Sequence, residues 1–81
     1  MIYKPYNIVF SLSGRDKGKR YVILSCNNGF AMLVDGRKRK KENPKLKRIK
    51  HIQLEKEVDI SESVKIDDRI IRRLLSETDK K

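Results

Sequence analysis

Apolar residues occur as short runs separated by turn residues over the first two-thirds of the chain. Ile8-Val9-Phe10-Ser11-Leu12 is rich in β-branched and aromatic residues and has the length of a strand. Ser13-Gly14-Arg15-Asp16-Lys17-Gly18-Lys19 follows as a tight charged loop, and Arg20–Cys26 forms a second strand. Alternation puts Val22, Leu24 and Cys26 on one face of that strand and Tyr21, Ile23 and Ser25 on the other. Both faces are largely apolar, as in a strand curled within a small barrel. Asn28-Gly29 between apolar runs signals a hairpin, because both residues tolerate positive φ, and Phe30–Val34 is the third strand. Asp35-Gly36 repeats the signal, so Arg37–Lys41 reads as a fourth strand, its unbroken cations fitting only an exposed edge. Glu42-Asn43-Pro44 breaks the pattern. Leu46, Ile49, Ile52 and Leu54 suit a short irregular turn leading into a last strand near residues 50–54, although Leu46 and Ile49 fit helical spacing equally well.

The pattern changes at Glu55. Residues 55–65 are polar and acidic and read as a linker. Residues 66–77 form an amphipathic helix, with Ile70, Ile71, Leu74 and Leu75 on one face and Arg69, Arg72 and Arg73 largely outside it. Asp67 is suited to cap the helix, and Ile66 to staple onto Ile71. The expected class is mainly β: a barrel of about five strands over residues 1–54, then the helix. Its apolar face can dock on the barrel or on a partner, and in so small a chain docking at home is the default.

Charge adds the functional signal. Residues 1–54 carry a net charge of +11, whereas residues 55–81 carry −1. Such asymmetry points to an anionic partner, a nucleic acid or an anionic membrane surface. A chain of 81 residues makes a better platform than an enclosure. No stretch has the apolar length of a transmembrane helix, and Met1–Pro5 lacks the core of a signal peptide. With one cysteine, Cys26, no internal disulfide can form. These features suit the cytoplasm and no membrane partner.

Two cationic segments carry the candidate chemistry. The first is the loop holding Arg15, Lys17 and Lys19, where Gly14 and Gly18 allow a sharp turn whose amides can face a phosphate. It reads equally well as a plain turn with Asp16 as its cap, and it is not a P-loop. The second is the tract of Arg37, Lys38, Arg39, Lys40, Lys41, Lys45, Lys47, Arg48 and Lys50, followed by His51, with Glu42 its only acid. Each phosphate neutralised by such a residue releases counterions, so the clustering favours nucleic-acid binding over a merely solvated run. Asp35 and Gly36 have a structural part in the turn that opens the tract.

Tyr3 and Tyr6 can stack on bases or pack over a barrel end, while Phe10 and Phe30 suit the core, so backbone and shape recognition fit better than base reading. His51 is the only histidine, suited to RNA contact or to a plain surface position. Cys26 suits a core position. No convergent acid–base or metal-ligand set occurs, so neither an enzyme nor a cofactor is expected.

The segment from Ile8-Val9-Phe10-Ser11 through Gly14-Arg15-Asp16-Lys17-Gly18-Lys19 and Tyr21-Val22-Ile23-Leu24 resembles the KOW motif of ribosomal proteins and transcription-elongation factors. Val34-Asp35-Gly36-Arg37-Lys38-Arg39 and Asn43-Pro44-Lys45-Leu46-Lys47-Arg48-Ile49-Lys50-His51 narrow the likeness. Together they resemble bacterial KOW-domain RNA-binding proteins related to archaeal and eukaryotic large-subunit ribosomal proteins. The resemblance covers residues 6–54 and implies an SH3-like β-barrel that binds ribosomal RNA. Gly18 would shape the loop, and the basic residues of the loop and of Arg37–Lys50 would contact RNA.

The expectation is an RNA-binding protein associated with the large ribosomal subunit, monomeric when free, holding structured RNA by its phosphates. The alternative is a KOW protein-interaction module of the transcription or translation machinery. Co-recovery that survives nuclease treatment separates the two.

Overall fold

The computed structural model describes residues 3–58 and 65–79, with no side-chain description for the last two of these. Five strands form one antiparallel sheet: β1 (Ile8–Ser11), β2 (Arg20–Asn27), β3 (Phe30–Val34), β4 (Lys45–Arg48) and β5 (Ile52–Lys56), ordered β4-β3-β2-β1-β5. A single 3-10 turn, Ile49–His51, joins β4 to β5, and the helix α1 spans Asp68–Asp79.

The sheet has an apolar cluster on each face. Val9, Tyr21, Ile23, Ala31, Leu33 and Ile52 fill the inner one. On the other face Ile8, Val22 and Val34 stand directly opposite one another across β1, β2 and β3, and they are covered by Ile71 of α1 and by Ile66, which precedes it. The two-sided apolar character of β2 therefore has its cause in the helix that lies over it. The expected docking of Ile70, Ile71, Leu74 and Leu75 at home is what the structure shows. Asp67 caps α1 as its composition predicts, accepting the Ile70 N–H at 2.9 Å, and Ile66 and Ile71 share the cluster beneath it.

Three sequence expectations are corrected. Arg37–Lys41 is a loop, and the fourth strand is Lys45–Arg48, the segment expected to be an irregular turn. The carboxylate of Asp35 accepts the N–H groups of Arg37 at 2.8 Å and Arg39 at 3.0 Å, which gathers this backbone into a turn before it can extend. Second, Cys26 packs with the inner cluster alongside Tyr21 and Ile23, not with Val22. A register shift between Ile23 and Ser25 breaks the alternation, because a bulge adds one residue and reverses the faces beyond it. Third, the last strand runs over Ile52–Lys56, so the expected linker begins later than Glu55, and residues 59–64 of it lie outside the described residues. Pairing with β1 extends the strand, and Glu55 is held there by Arg20, whose Nη2 lies 2.7 Å from Oε2. Phe10 and Phe30 are half-buried and belong to neither cluster, while Tyr3 and Tyr6 each pack against one.

Helix and loop meet at Gly36. It has φ of 76° and is buried, and a Cβ added to it would lie 2.6 Å from the Asp68 carbonyl oxygen and 2.7 Å from Arg72 Cγ. Only glycine meets both demands. Gly36→Ala should therefore destabilise the fold by about 2–4 kcal/mol, the sum of backbone strain and a forced displacement of α1. Gly18→Ala, where φ is also positive but the space is open, should cost about 1 kcal/mol. Urea unfolding of the two variants measures the difference, and equal losses would contradict the tight helix–loop contact.

Candidate nucleic-acid interface

The β1–β2 loop is held by its own backbone. Ser11 N–H bonds Lys19 O at 2.9 Å and Gly18 N–H bonds Ser11 O at 2.8 Å, with φ of 81° at Gly14 and 86° at Gly18. The turn presents Arg15, Lys17 and Lys19 to solvent while folding Asp16 inward. Asp16 is only 7% exposed. Its Oδ1 accepts from Ser11 Oγ and from Lys47 Nζ, each at 3.0 Å; its Oδ2 lies 3.3 Å from Lys45 Nζ and 3.5 Å from the Tyr21 hydroxyl. Lys47 Nζ also donates to Ser13 O at 3.0 Å. Burial alone would raise the Asp16 pKa, but the bonds from Lys47, Ser11 and Lys45 outweigh it and bring it down from 3.8 to about 2. Burial, with the nearby charges of Asp16 and Asp35, pushes the Tyr21 phenol up.

This clamp ties β4 to the β1–β2 loop and assembles a groove. Arg15, Lys19, Lys38, Arg39 and Lys45 line it, Asp16, Asp35 and Tyr21 complete its walls, and its volume is about 210 Å³. The loop and the basic tract thus contribute to one surface, which the sequence pattern alone leaves open.

The other expected contact residues lie elsewhere. Lys47 is committed to Asp16 and Ser13 and is a structural residue of the clamp. Lys41 holds the start of the helical segment, its N–H bonding Asp68 Oδ1 at 2.9 Å and its Nζ bonding Ile66 O at 2.6 Å. Arg48 lies over the Phe30 ring, 5.1 Å from its centroid. Lys17, Lys40 and Lys50 are exposed outside the groove, and His51 is half-buried in the 3-10 turn, where its carbonyl accepts Leu12 N–H at 2.8 Å. Leu46 is 59% exposed, whereas Ile49 and Ile52 pack into the inner cluster.

The long-range part played by Asp16 escaped the sequence reading, which gave it only a local cap. A signal was present: Asp16 is one of three acids among the first 54 residues, so a buried partner for inward-facing lysines had few places to be. Arg20 and Arg72 were also missed. Arg20 binds Glu55 and donates to Leu75 O at 3.0 Å, while Arg72 Nη1 donates to Gly36 O at 2.7 Å.

Among the described residues no group of three or more His, Cys, Asp or Glu is placed to hold a metal ion. Nor is any helix among them long and apolar enough to cross a membrane. Burial pushes the Cys26 thiol up, which keeps it protonated. Neither a protein-family model nor a curated protein matches the chain.

The clamp has a measurable pH signature. The Asp16 carboxylate titrates near pH 2 in the folded chain and near its ordinary value when unfolded. Its contribution to stability, on the order of 2 kcal/mol, is therefore complete above about pH 5 and fades as pH falls toward 2. Asp16→Asn should flatten that part of the stability–pH curve. Asp16→Ala should cost about 3 kcal/mol at neutral pH by leaving Lys47 poorly compensated. Denaturant titration across pH 2–7 checks both, and an unchanged curve for Asp16→Asn would contradict the role given to the clamp.

Proposed function

We propose that the protein binds structured RNA through backbone phosphates, and that its place is on the large ribosomal subunit in the cytoplasm. The observation that carries the reading is the groove in which Arg15 and Lys19 meet Lys38, Arg39 and Lys45. Five cations converge there with two acids; Asp16 is engaged by Lys47, Ser11 and Lys45, one oxygen of Asp35 takes two backbone amides, and Arg15, Lys19, Lys38 and Arg39 are the cations offered to an anion. A phosphate entering the groove meets donors whose charge is only partly answered, and it displaces counterions as it binds. The KOW resemblance of residues 6–54 points the same way and supplies the ribosomal assignment.

The finer fold belongs to the same proposal. One antiparallel sheet of five short strands ordered β4-β3-β2-β1-β5, with a register shift in β2 and an apolar cluster packed on one face, supports an SH3-like barrel of KOW type. Recognition is by shape and charge. Arginine and lysine on phosphates position a protein on RNA without reading its bases.

Lys38→Glu and Arg39→Glu should each weaken binding to all structured RNAs alike and lower the slope of log affinity against log salt by about one or more. Lys17→Glu, outside the groove, should have a smaller effect. Fluorescence anisotropy against ribosomal RNA fragments, together with co-sedimentation with large subunits at rising salt, provides the readout. Association that ignores salt, or that persists unchanged in the Lys38 and Arg39 variants, would overturn the reading.

A further inference from the structure

The loop 35–39 has a second groove on its other side. Arg20, Arg37 and Arg72 line it with Asp35, Leu75 and Ser76, and its volume is about 330 Å³. Asp35 is common to both grooves; Arg37 faces the second, while Lys38 and Arg39 face the first. The loop is thus a ridge with cations on both flanks, one flank built by the β1–β2 loop and β4, the other by β2 and α1.

Two acceptors around the second groove are already engaged. Asp35 Oδ1 takes the N–H groups of Arg37 and Arg39, and Leu75 O takes Arg20 Nη1. Arg20 is answered by Glu55, and Arg72 spends one N–H on Gly36 O. The Arg37 side chain is exposed, with no hydrogen bond or ion pair among the described residues. Arg37, Arg72 and Ser76 thus line a recess of about 330 Å³, ample for a phosphate group, that α1 completes.

We infer that the preferred ligand is double-helical RNA, with the loop 35–39 lying across a groove of the duplex and one backbone entering the recess on each flank. The inference rests on the RNA-binding reading and specifies its substrate. A single strand has one backbone and occupies the flank with more cations, that of Arg15, Lys19, Lys38 and Arg39; an A-form duplex presents two backbones on either side of its wide, shallow minor groove, where shape and phosphates are the features offered. It also gives α1 a role in binding as well as in packing, although residues 55–81 carry no net positive charge.

Binding of the full chain to a short RNA duplex and to either of its strands alone tests the idea. The duplex should bind several-fold more tightly and with a steeper salt dependence. Arg37→Glu should weaken the duplex several-fold and reduce its salt slope by about one, while leaving the single strand within about twofold. Lys38→Glu should weaken both ligands. Arg37→Ala, milder in charge, should follow the same ordering, and an unchanged urea midpoint for each variant shows the fold intact. If Lys38→Glu weakens both ligands but Arg37→Glu affects neither, or both equally, the two-flank inference is overturned and the RNA reading stands. If the unmodified chain binds neither ligand in a salt-dependent way, the RNA reading itself is overturned.

Discussion

The arrangement of this chain depends on the buried carboxylate of Asp16. A carboxylate withdrawn from water is costly unless its lone pairs are filled and its charge answered. Here Ser11 and Lys47 fill one oxygen, and Lys45 and Tyr21 stand at the other. These partners come from β1, β2 and β4, so one side chain fixes where three strands sit around the β1–β2 loop. The same contacts decide which lysines remain available. Lys47 is consumed by the clamp, and Lys45, at the rim of the groove, is paired with the same carboxylate at 3.3 Å.

A second constraint operates on the opposite face. Within residues 3–56 only Tyr6 and Leu24 pack against Ile8, Val22 and Val34, and the helical segment with Ile66, Ile70, Ile71, Leu74 and Leu75 supplies most of the cover. Docking the helix there brings it against the loop after β3, where the absence of a side chain at Gly36 allows contact and Arg72 bonds the Gly36 carbonyl. Lys41 ties the other end of the loop to the start of the helical segment. A loop of consecutive cations would otherwise repel itself and wander. It is held by one internal acid, Asp35, and by a helix whose own composition is close to neutral. Packing energy from the apolar face thereby positions charge on the polar one.

These two constraints explain what could be read from the sequence. Strands β1, β2 and β3, the Asn28-Gly29 turn and the capped helix are set by neighbours in the chain, and alternation, turn chemistry and capping expose them. The β4 assignment failed because the sense of Lys45-Leu46-Lys47-Arg48 is inverted: lysines face inward and Leu46 faces out. That inversion is stable only because Asp16 lies 31 residues away in sequence from Lys47 and within 3.0 Å in space. The reversal of Cys26 has the same character, since a bulge leaves no local residue signature here. The site was legible as a set of cations, and its division into structural and available members was not, because that division is made by tertiary partners.

Net charge alone is therefore a poor measure of a basic surface. Most of the cations in Arg37–Lys50 look equivalent as sequence. In the fold, Lys41 and Lys47 spend their donors on the protein, and Arg48 rests on an aromatic ring. Arg37, Lys38 and Arg39 project from a turn whose only acid is occupied by backbone amides. A desolvated lysine held by a carboxylate offers little to a phosphate, since exchange of one anion for another gains nothing overall. An exposed cation surrounded by other cations gains from any anion that relieves their repulsion. The affinity of this surface should accordingly be set by the few unanswered charges at the ridge, with the larger number of committed lysines and arginines acting to hold that ridge in shape.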